Sequence, residues 1–430
     1  MKMNQSIMFY LYLVLLNGVF IFLRVSTGVK GSSQYGLFST ALFLLIFIHL
    51  WFLFFGGKFD HFIMLWLSFY FASPLINPSF INIGGLGLLN GIFLPLMLIA
   101  SFNPKNKYFL TILSLIAVSL LSIISIQYRL TFSSLFQFTA PLIFLYFVMK
   151  RCKHIDSILF VSILISAINL PLSIYQVIAR PEWGVIADWR AFRIMGNLFH
   201  PNSYSMYLLP IILLLYAKLR DKFNVYLLLL LIAFLTIDIL TFSRMGLLAL
   251  IVSLIVFEGI FKSGFNINAK KVILLVLLFF SIFAFTLIGD TDTHLSAESI
   301  NERAGIWESI FPLLKGHFIF GNGLGSYELY RSNVVNSLSP HNVYLSIIFE
   351  IGVAGLILVL MFMAFLIIDL SKRISKSHGL ALNELGIALI IGSLFFALTD
   401  GAPLDQVVSL NTWIIVGCCI IYNKTRGANE

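Results

Sequence analysis

The sequence predicts an all-α polytopic membrane protein, with about 12–14 transmembrane helices and one large external loop carrying an amphipathic helix. Three observations carry that reading. Hydrophobic residues make up 59% of the 430 residues and charged ones 11%, for a mean hydropathy of +0.97. No soluble domain can bury that much apolar surface. The apolar runs are about 20 residues long, enough to cross a hydrocarbon core of ~30 Å as helices, and they do not alternate, which excludes a β-barrel. One long polar segment, residues 290–340, interrupts the pattern.

Taken in order, fourteen candidate spans cover residues 8–24, 37–56, 60–78, 84–101, 108–126, 133–150, 157–179, 203–218, 224–240, 244–262, 271–289, 341–369, 380–398 and 407–423. The first follows a single lysine and has no small-residue cleavage site after it, so it reads as a spanning helix and not as a removed signal peptide. Pro74, Pro78 and several glycines in 72–92 leave the third and fourth spans open to a broken or re-entrant pair. The chain divides into N-terminal helices (1–150), helices with Arg-bearing external loops (151–289), the large loop (290–340) and C-terminal helices (341–430). Within the loop, Ile300, Ile306, Ile310 and Leu314 recur at helical spacing over 299–315. That stripe fits a helix lying on the membrane surface or one capping the bundle.

With the N-terminus in the cytoplasm, 18 of the 28 basic residues fall on cytoplasmic loops and tails, and fourteen of those are Lys. This is the positive-inside pattern, and it accounts for most of the net charge of +9 without nucleic acid. The other ten are Arg24, Lys30, Arg129, Arg180, Arg190, Arg193, Arg244, Arg303, Lys315 and Arg331, on the external side. Eight of the ten are Arg, a switch that topology does not require. A guanidinium forks onto phosphate oxygens and stays charged when desolvated, so the set favours an anionic ligand. For each Arg alone, lipid headgroups or the acids Asp188, Asp290 and Glu302 are an equal alternative.

Three stretches could carry chemistry. In residues 189–208, Arg190 and Arg193 lie three apart where a helix is expected to begin, and could share one face. Gly196 and the His200-Pro201-Asn202 turn follow, with Pro201 and Asn202 suited to a helix start, Asn202 as a plain cap. In residues 241–250, Ser243-Arg244 falls where one span turns into the next almost without a loop. An arginine at a helix N-terminus opposes the dipole unless an anion shares the site, which makes Arg244 the leading phosphate ligand. A salt bridge to Asp238 is the alternative. In residues 303–342, Arg303 precedes Trp307 by one turn, Gly321, Gly323 and Gly325 form a run, and His341-Asn342 opens the next span. The glycines do not follow a strand or match a P-loop, so a tight external turn is the safer reading. An imidazole at the membrane boundary can act as a general base on a hydroxyl or serve as a structural cap.

No metal-binding spacing occurs, Asp400 and Asp405 being too little for one. Cys152, Cys418 and Cys419 suggest neither a disulfide nor a metal. No cofactor is expected.

Over residues 160–400 these motifs, in this order, resemble the O-antigen ligase/polymerase superfamily of bacterial envelope glycosyltransferases. They are the G-x-x-x-x-P-N turn at Gly196–Asn202, Ser243-Arg244, Arg303-x-x-x-Trp307, the glycine run, and His341-Asn342 followed after nine residues by Gly352-x-x-Gly355. The first 150 residues match only in being membrane helices. The resemblance implies metal-independent, inverting transfer of a glycan from undecaprenyl pyrophosphate to an acceptor hydroxyl at the periplasmic face of the bacterial inner membrane. It assigns pyrophosphate binding to Arg244 and Arg303 with Arg190 or Arg193, and the acceptor to His341. Asn202, Ser243 and Asn342 would support them. The implied partners are the lipid-linked donor and acceptor, the bilayer and a polysaccharide chain-length regulator, with no nucleic acid. The G-N-G-L-G run and H-N-x-Y-L form lean toward a polymerase; a ligase acting on lipid A-core is the alternative. A lipid-linked oligosaccharide transporter fits less well, because no internal repeat of that kind is visible.

Overall fold

The computed structural model describes residues 94–121, 128–180, 185–188, 191–196, 198, 200–259, 297–330, 340–374, 382–398 and 406–426, with a few positions between 11 and 64. Among these residues the fold is all-α apart from one hairpin. The helices are α1 (Lys107–Leu121), α2 (Tyr128–Arg151), α3 (Ile155–Ile168), α4 (Leu170–Ala179), α5 (Pro201–Asp221), α6 (Val225–Leu240) and α7 (Arg244–Glu258). They continue as α8 (Ala297–Leu313), α9 (Ser326–Tyr330), α10 (Val343–Ile374), α11 (Leu382–Phe396) and α12 (Gln406–Arg426). Two are long and apolar enough to span a membrane by themselves, Val343–Lys372 and the α3–α4 unit Ile155–Ala179. The expected spans at 271–289 and before residue 94, with the 72–92 pair, lie outside the described residues or nearly so.

Polar ties sort the helix ends into two faces. At the first face, Lys107 at the start of α1 pairs with Asp369 near the end of α10 at 2.7 Å. There too the Arg151 guanidinium donates to the carbonyl of Ala100, and Arg220 at the end of α5 meets Glu258 at the end of α7 at 3.4 Å. At the second face, the N–H of Val343 at the start of α10 donates to the carbonyl of Ala397 beyond the end of α11 (2.9 Å). Following the chain from tie to tie, α4 and α6 end, and α5, α7 and α10 begin, at this second face. The lysine-rich helix ends fall at the first face, as the charge pattern predicts.

The centre is α5, which packs against α3, α6, α7, α11 and α12. Every residue from 204 to 217 is buried, the mark of a helix that is apolar all round. Its two tyrosines are satisfied inside the bundle: Tyr204 and Tyr207 share hydrogen bonds with Ser173 and Ser166 at 2.7 and 3.0 Å. The three cysteines are free and buried. Burial, then the nearby Asp60 carboxylate, push the Cys152 thiol up, which disfavours its thiolate.

Candidate functional site

The first wall of the site is a corner between the hairpin and the α6–α7 turn. The strands β1 (Val185–Asp188) and β2 (Ala191–Ile194) pair antiparallel, with Ile186 opposite Arg193. This corrects the expectation of a helix start around Arg190 and Arg193. Short β-rich runs separated by two residues favour a hairpin, and helical spacing does not apply to them. Arg190 lies outside the described residues. Arg193 points back into the bundle: its Nε donates to the carbonyl of Thr241 (3.0 Å) and its Nη2 to Oδ1 of Asn202 (2.9 Å). Asn202 is therefore not the cap of α5; His200 holds that position, with Pro201 first in the helix.

The G-x-x-x-x-P-N turn has a steric cause. Gly196 has φ +55°, and a Cβ there would sit 2.6 Å from the Tyr204 ring. Buried Gln176 grips the same residue from both sides, its Nε2 donating to the Gly196 carbonyl (2.6 Å) and its Oε1 accepting the Gly196 N–H (2.9 Å). Gln176 escaped the sequence reading, since a lone amide in an apolar span shows no motif.

Arg244 opens α7, and Ser243 is its cap, with Oγ accepting the N–H of Gly246 at 3.2 Å. Phe242 just before has φ +50°, a left-handed conformation uncommon for a bulky residue and held here by the bonded turn around it. Asp238 is buried and accepts the hydroxyl of Ser205 at 2.5 Å. It ties α6 to α5 at the base of the corner. Thus Arg193, Asn202, Thr241 and the start of α7 form one bonded corner.

The second wall is α8 with the start of α10. Ile306 and Ile310 on α8, with Leu314 just after it, bury against Tyr327, Leu345 and Phe349. The apolar stripe of the expected amphipathic helix thus packs against α9 and the start of α10. The Trp307 indole N–H donates to the carbonyl of Pro340 at 2.8 Å and so fixes the residue before His341. Arg303 occupies the position one turn earlier on the same helix. His341 has φ +51°, and Asn342 caps α10: its Oδ1 accepts the N–H of Leu345 (3.0 Å), while its Nδ2 donates to the carbonyl of Leu398 (3.1 Å).

Helix α7 joins the two walls. It runs antiparallel to α11, and a Cβ on Gly392 would meet Ala249 O at 3.3 Å and Ser253 Oγ at 1.9 Å. Counting the same number of residues outward along both helices brings Arg244 level with Ala397, the residue bonded to Val343. The arginine corner and the His341 turn therefore stand at the same face, one helix apart. Directly beneath His341-Asn342, an apolar cleft starts at Val343 and Tyr344 and descends past Ile347, Val359 and Trp413.

The glycine run is not a phosphate cradle. The N–H groups of Asn322 and Gly323 donate to the carbonyls of Phe349 and Glu350, at 2.7 and 2.8 Å. Glu350 accepts from the backbone N–H groups of Gly325 and Tyr327. Neither Glu350 nor Asn322 was singled out in the sequence. Among the described residues no cluster of metal-ligating side chains occurs.

These features define a helical membrane protein with a cationic corner and a histidine turn on one face. Residues 225–360 match the family model described as O-antigen ligase, and the match supports the O-antigen polymerase/ligase superfamily, a glycosyltransferase-like class. The matched stretch contains Ser243, Arg244, Arg303, His341 and Asn342, and stops short of Arg193 and Asn202. No curated protein matches the chain.

Proposed function

We propose that the protein is a surface-polysaccharide (O-antigen) polymerase. It transfers a glycan from undecaprenyl pyrophosphate to a hydroxyl of a lipid-linked repeat unit at the periplasmic face. The observation that carries this reading is the pairing of two unlike walls at one bundle face. One is built around arginines and the other presents a histidine.

In the reaction the acceptor oxygen attacks the anomeric carbon as its proton passes to His341. The bond from that carbon to the pyrophosphate oxygen breaks, and the single displacement inverts the centre. Arg193 and Arg244, with Arg303, hold the pyrophosphate and stabilise the charge that develops as it leaves, a role fixed cations fill without a metal. Arg190 remains a candidate for the same role. Asn202 holds Arg193, Ser243 caps the helix that presents Arg244, and Asn342 fixes the turn that carries His341. The apolar cleft beneath that turn suits substrates that arrive on lipid chains.

The description of the matched family favours a second reading, ligation of finished polymer to lipid A-core. Deleting the gene and resolving the cell-surface glycans on a gel separates the two. A polymerase deletion leaves core capped with one repeat unit. A ligase deletion leaves bare core with lipid-linked polymer accumulating, and a normal ladder contradicts both.

A further inference from the structure

Helix α10 is broken at Gly352, which has φ +72° and ψ −178°, a conformation open almost only to glycine. In an unbroken helix the N–H groups of Val353 and Ala354 would donate to the carbonyls of Phe349 and Glu350. Here they donate instead to the carbonyls of Phe318 and Ile319, at 3.0 and 3.1 Å. The stranded carbonyls of Phe349 and Glu350 take the N–H groups of Asn322 and Gly323. Residues 318–323 are thus threaded through the gap, and both of these bonds are replaced by bonds to the crossing strand. Two glycines permit the crossing. A Cβ on Gly352 would lie 2.1 Å from the Ile319 oxygen, and one on Gly321 would lie 2.4 Å from the Glu350 carbonyl carbon.

The depth of the crossing follows from α10 itself. Residues Val343–Lys372 form a candidate span of 30 residues that contains an 18-residue window of mean hydropathy 3.0. That is ~45 Å of helix against ~30 Å of hydrocarbon, so a centred span leaves ~8 Å outside at each end. Val353, about 15 Å from the start, then lies ~8 Å inside the hydrocarbon. Irregular backbone at that depth survives only if its polar groups are bonded within the protein, as the carbonyls of Phe318, Ile319, Phe349 and Glu350 are at the crossing.

The side chains divide accordingly. Residues 322–327, on the returning limb, are all buried. Phe318, Ile319 and Phe320, on the descending limb, are 55%, 63% and 52% exposed on the isolated chain. On α10, one and two turns beyond the bonded Val353 and Ala354, the exposed residues Ile357, Leu360 and Met361 recur at lipid-facing helical spacing. Lys315 and His317, at the shoulder, are exposed and polar.

We propose that residues 314–325 form a re-entrant segment that dips from the His341 face into the bilayer, with Phe318, Ile319 and Phe320 among lipid acyl chains. The expected tight external turn at the glycine run is thereby replaced by a membrane-embedded clasp. The clasp holds the short upper half of α10, whose top carries His341-Asn342.

Spin labels test the depth. Phe318→Cys, Ile319→Cys and Phe320→Cys would be labelled in protein reconstituted into phosphatidylcholine/phosphatidylglycerol vesicles, with the unsubstituted protein as blank because its own cysteines are buried. Ile357→Cys is the lipid-facing control and Lys315→Cys the shoulder control. Dissolved oxygen should relax the three labels several-fold more strongly than a water-soluble nickel chelate, as at Ile357→Cys. Dominant nickel relaxation places the segment in water, and weak relaxation by both places it against another protein; either overturns the proposal. Hydroxyl-radical footprinting of the unsubstituted protein in the same vesicles gives a second reading. Phe318 and Phe320 should stay unoxidised, and oxidation of both contradicts lipid burial.

Discussion

The corner around Arg193 and the wall around His341 are both loops between membrane helices, yet they are held by different chemistry. The corner is fastened by side chains: Arg193 to Thr241 and Asn202, Gln176 to Gly196, Ser205 to Asp238. The wall is fastened mainly by backbone, through the four exchanged hydrogen bonds at Gly352 and the indole bond from Trp307 to Pro340. A corner tied by side chains can lose ligand affinity while the fold survives. A wall tied by backbone cannot be altered at its glycines without losing the fold.

Gly352→Ala should have the largest effect. It strains a glycine-only conformation, costing ~1–3 kcal/mol, and adds the clash with the Ile319 oxygen. Folded protein should fall severely, read as the monodisperse fraction on size exclusion; normal recovery would show that the wall does not depend on its backbone exchange. His341→Ala should keep folded protein and lose ~10²–10⁴-fold in transfer rate, the usual share of a general base. A normal polymer ladder at matched protein level would remove His341 from the chemistry. Asn202→Ala should be the mildest. Losing one hydrogen bond to a charged group costs ~1.5 kcal/mol, or roughly tenfold in donor affinity, with folding retained. An unchanged affinity would show that Arg193 needs no second tether.

Much of this was legible in the sequence, and for physical reasons. Span lengths and the Lys-to-Arg switch between faces are properties of composition along the chain. They predicted the helices and placed Arg193, Arg244 and His341 at one face. The helix start at Arg244 was legible too, because a short turn between two apolar runs is a local feature. The hairpin was missed because three-residue spacing suits a helix only if a helix is present. The backbone exchange between residues 318–323 and α10 could not be read in the sequence, because Phe349 to Ala354 lie some thirty residues away and bond through backbone, which leaves no side-chain signature. Gln176 and Glu350 were invisible for a related reason: each acts on the backbone of a distant loop.

The central claim is that the two walls divide the work, arginines holding the donor and His341 acting on the acceptor. Titrating undecaprenyl-pyrophosphate-linked repeat unit onto the purified protein in nanodiscs, for the parent, Arg193→Ala, Arg244→Ala, Arg244→Lys and His341→Ala, tests it most directly. The account predicts that Arg244→Ala binds donor at least ~10²-fold more weakly, that Lys restores little of this, and that Arg193→Ala is also weakened. His341→Ala should bind donor as the parent does while transferring nothing. Unchanged donor binding by both alanine variants of the arginines, or donor binding lost in His341→Ala, would contradict it.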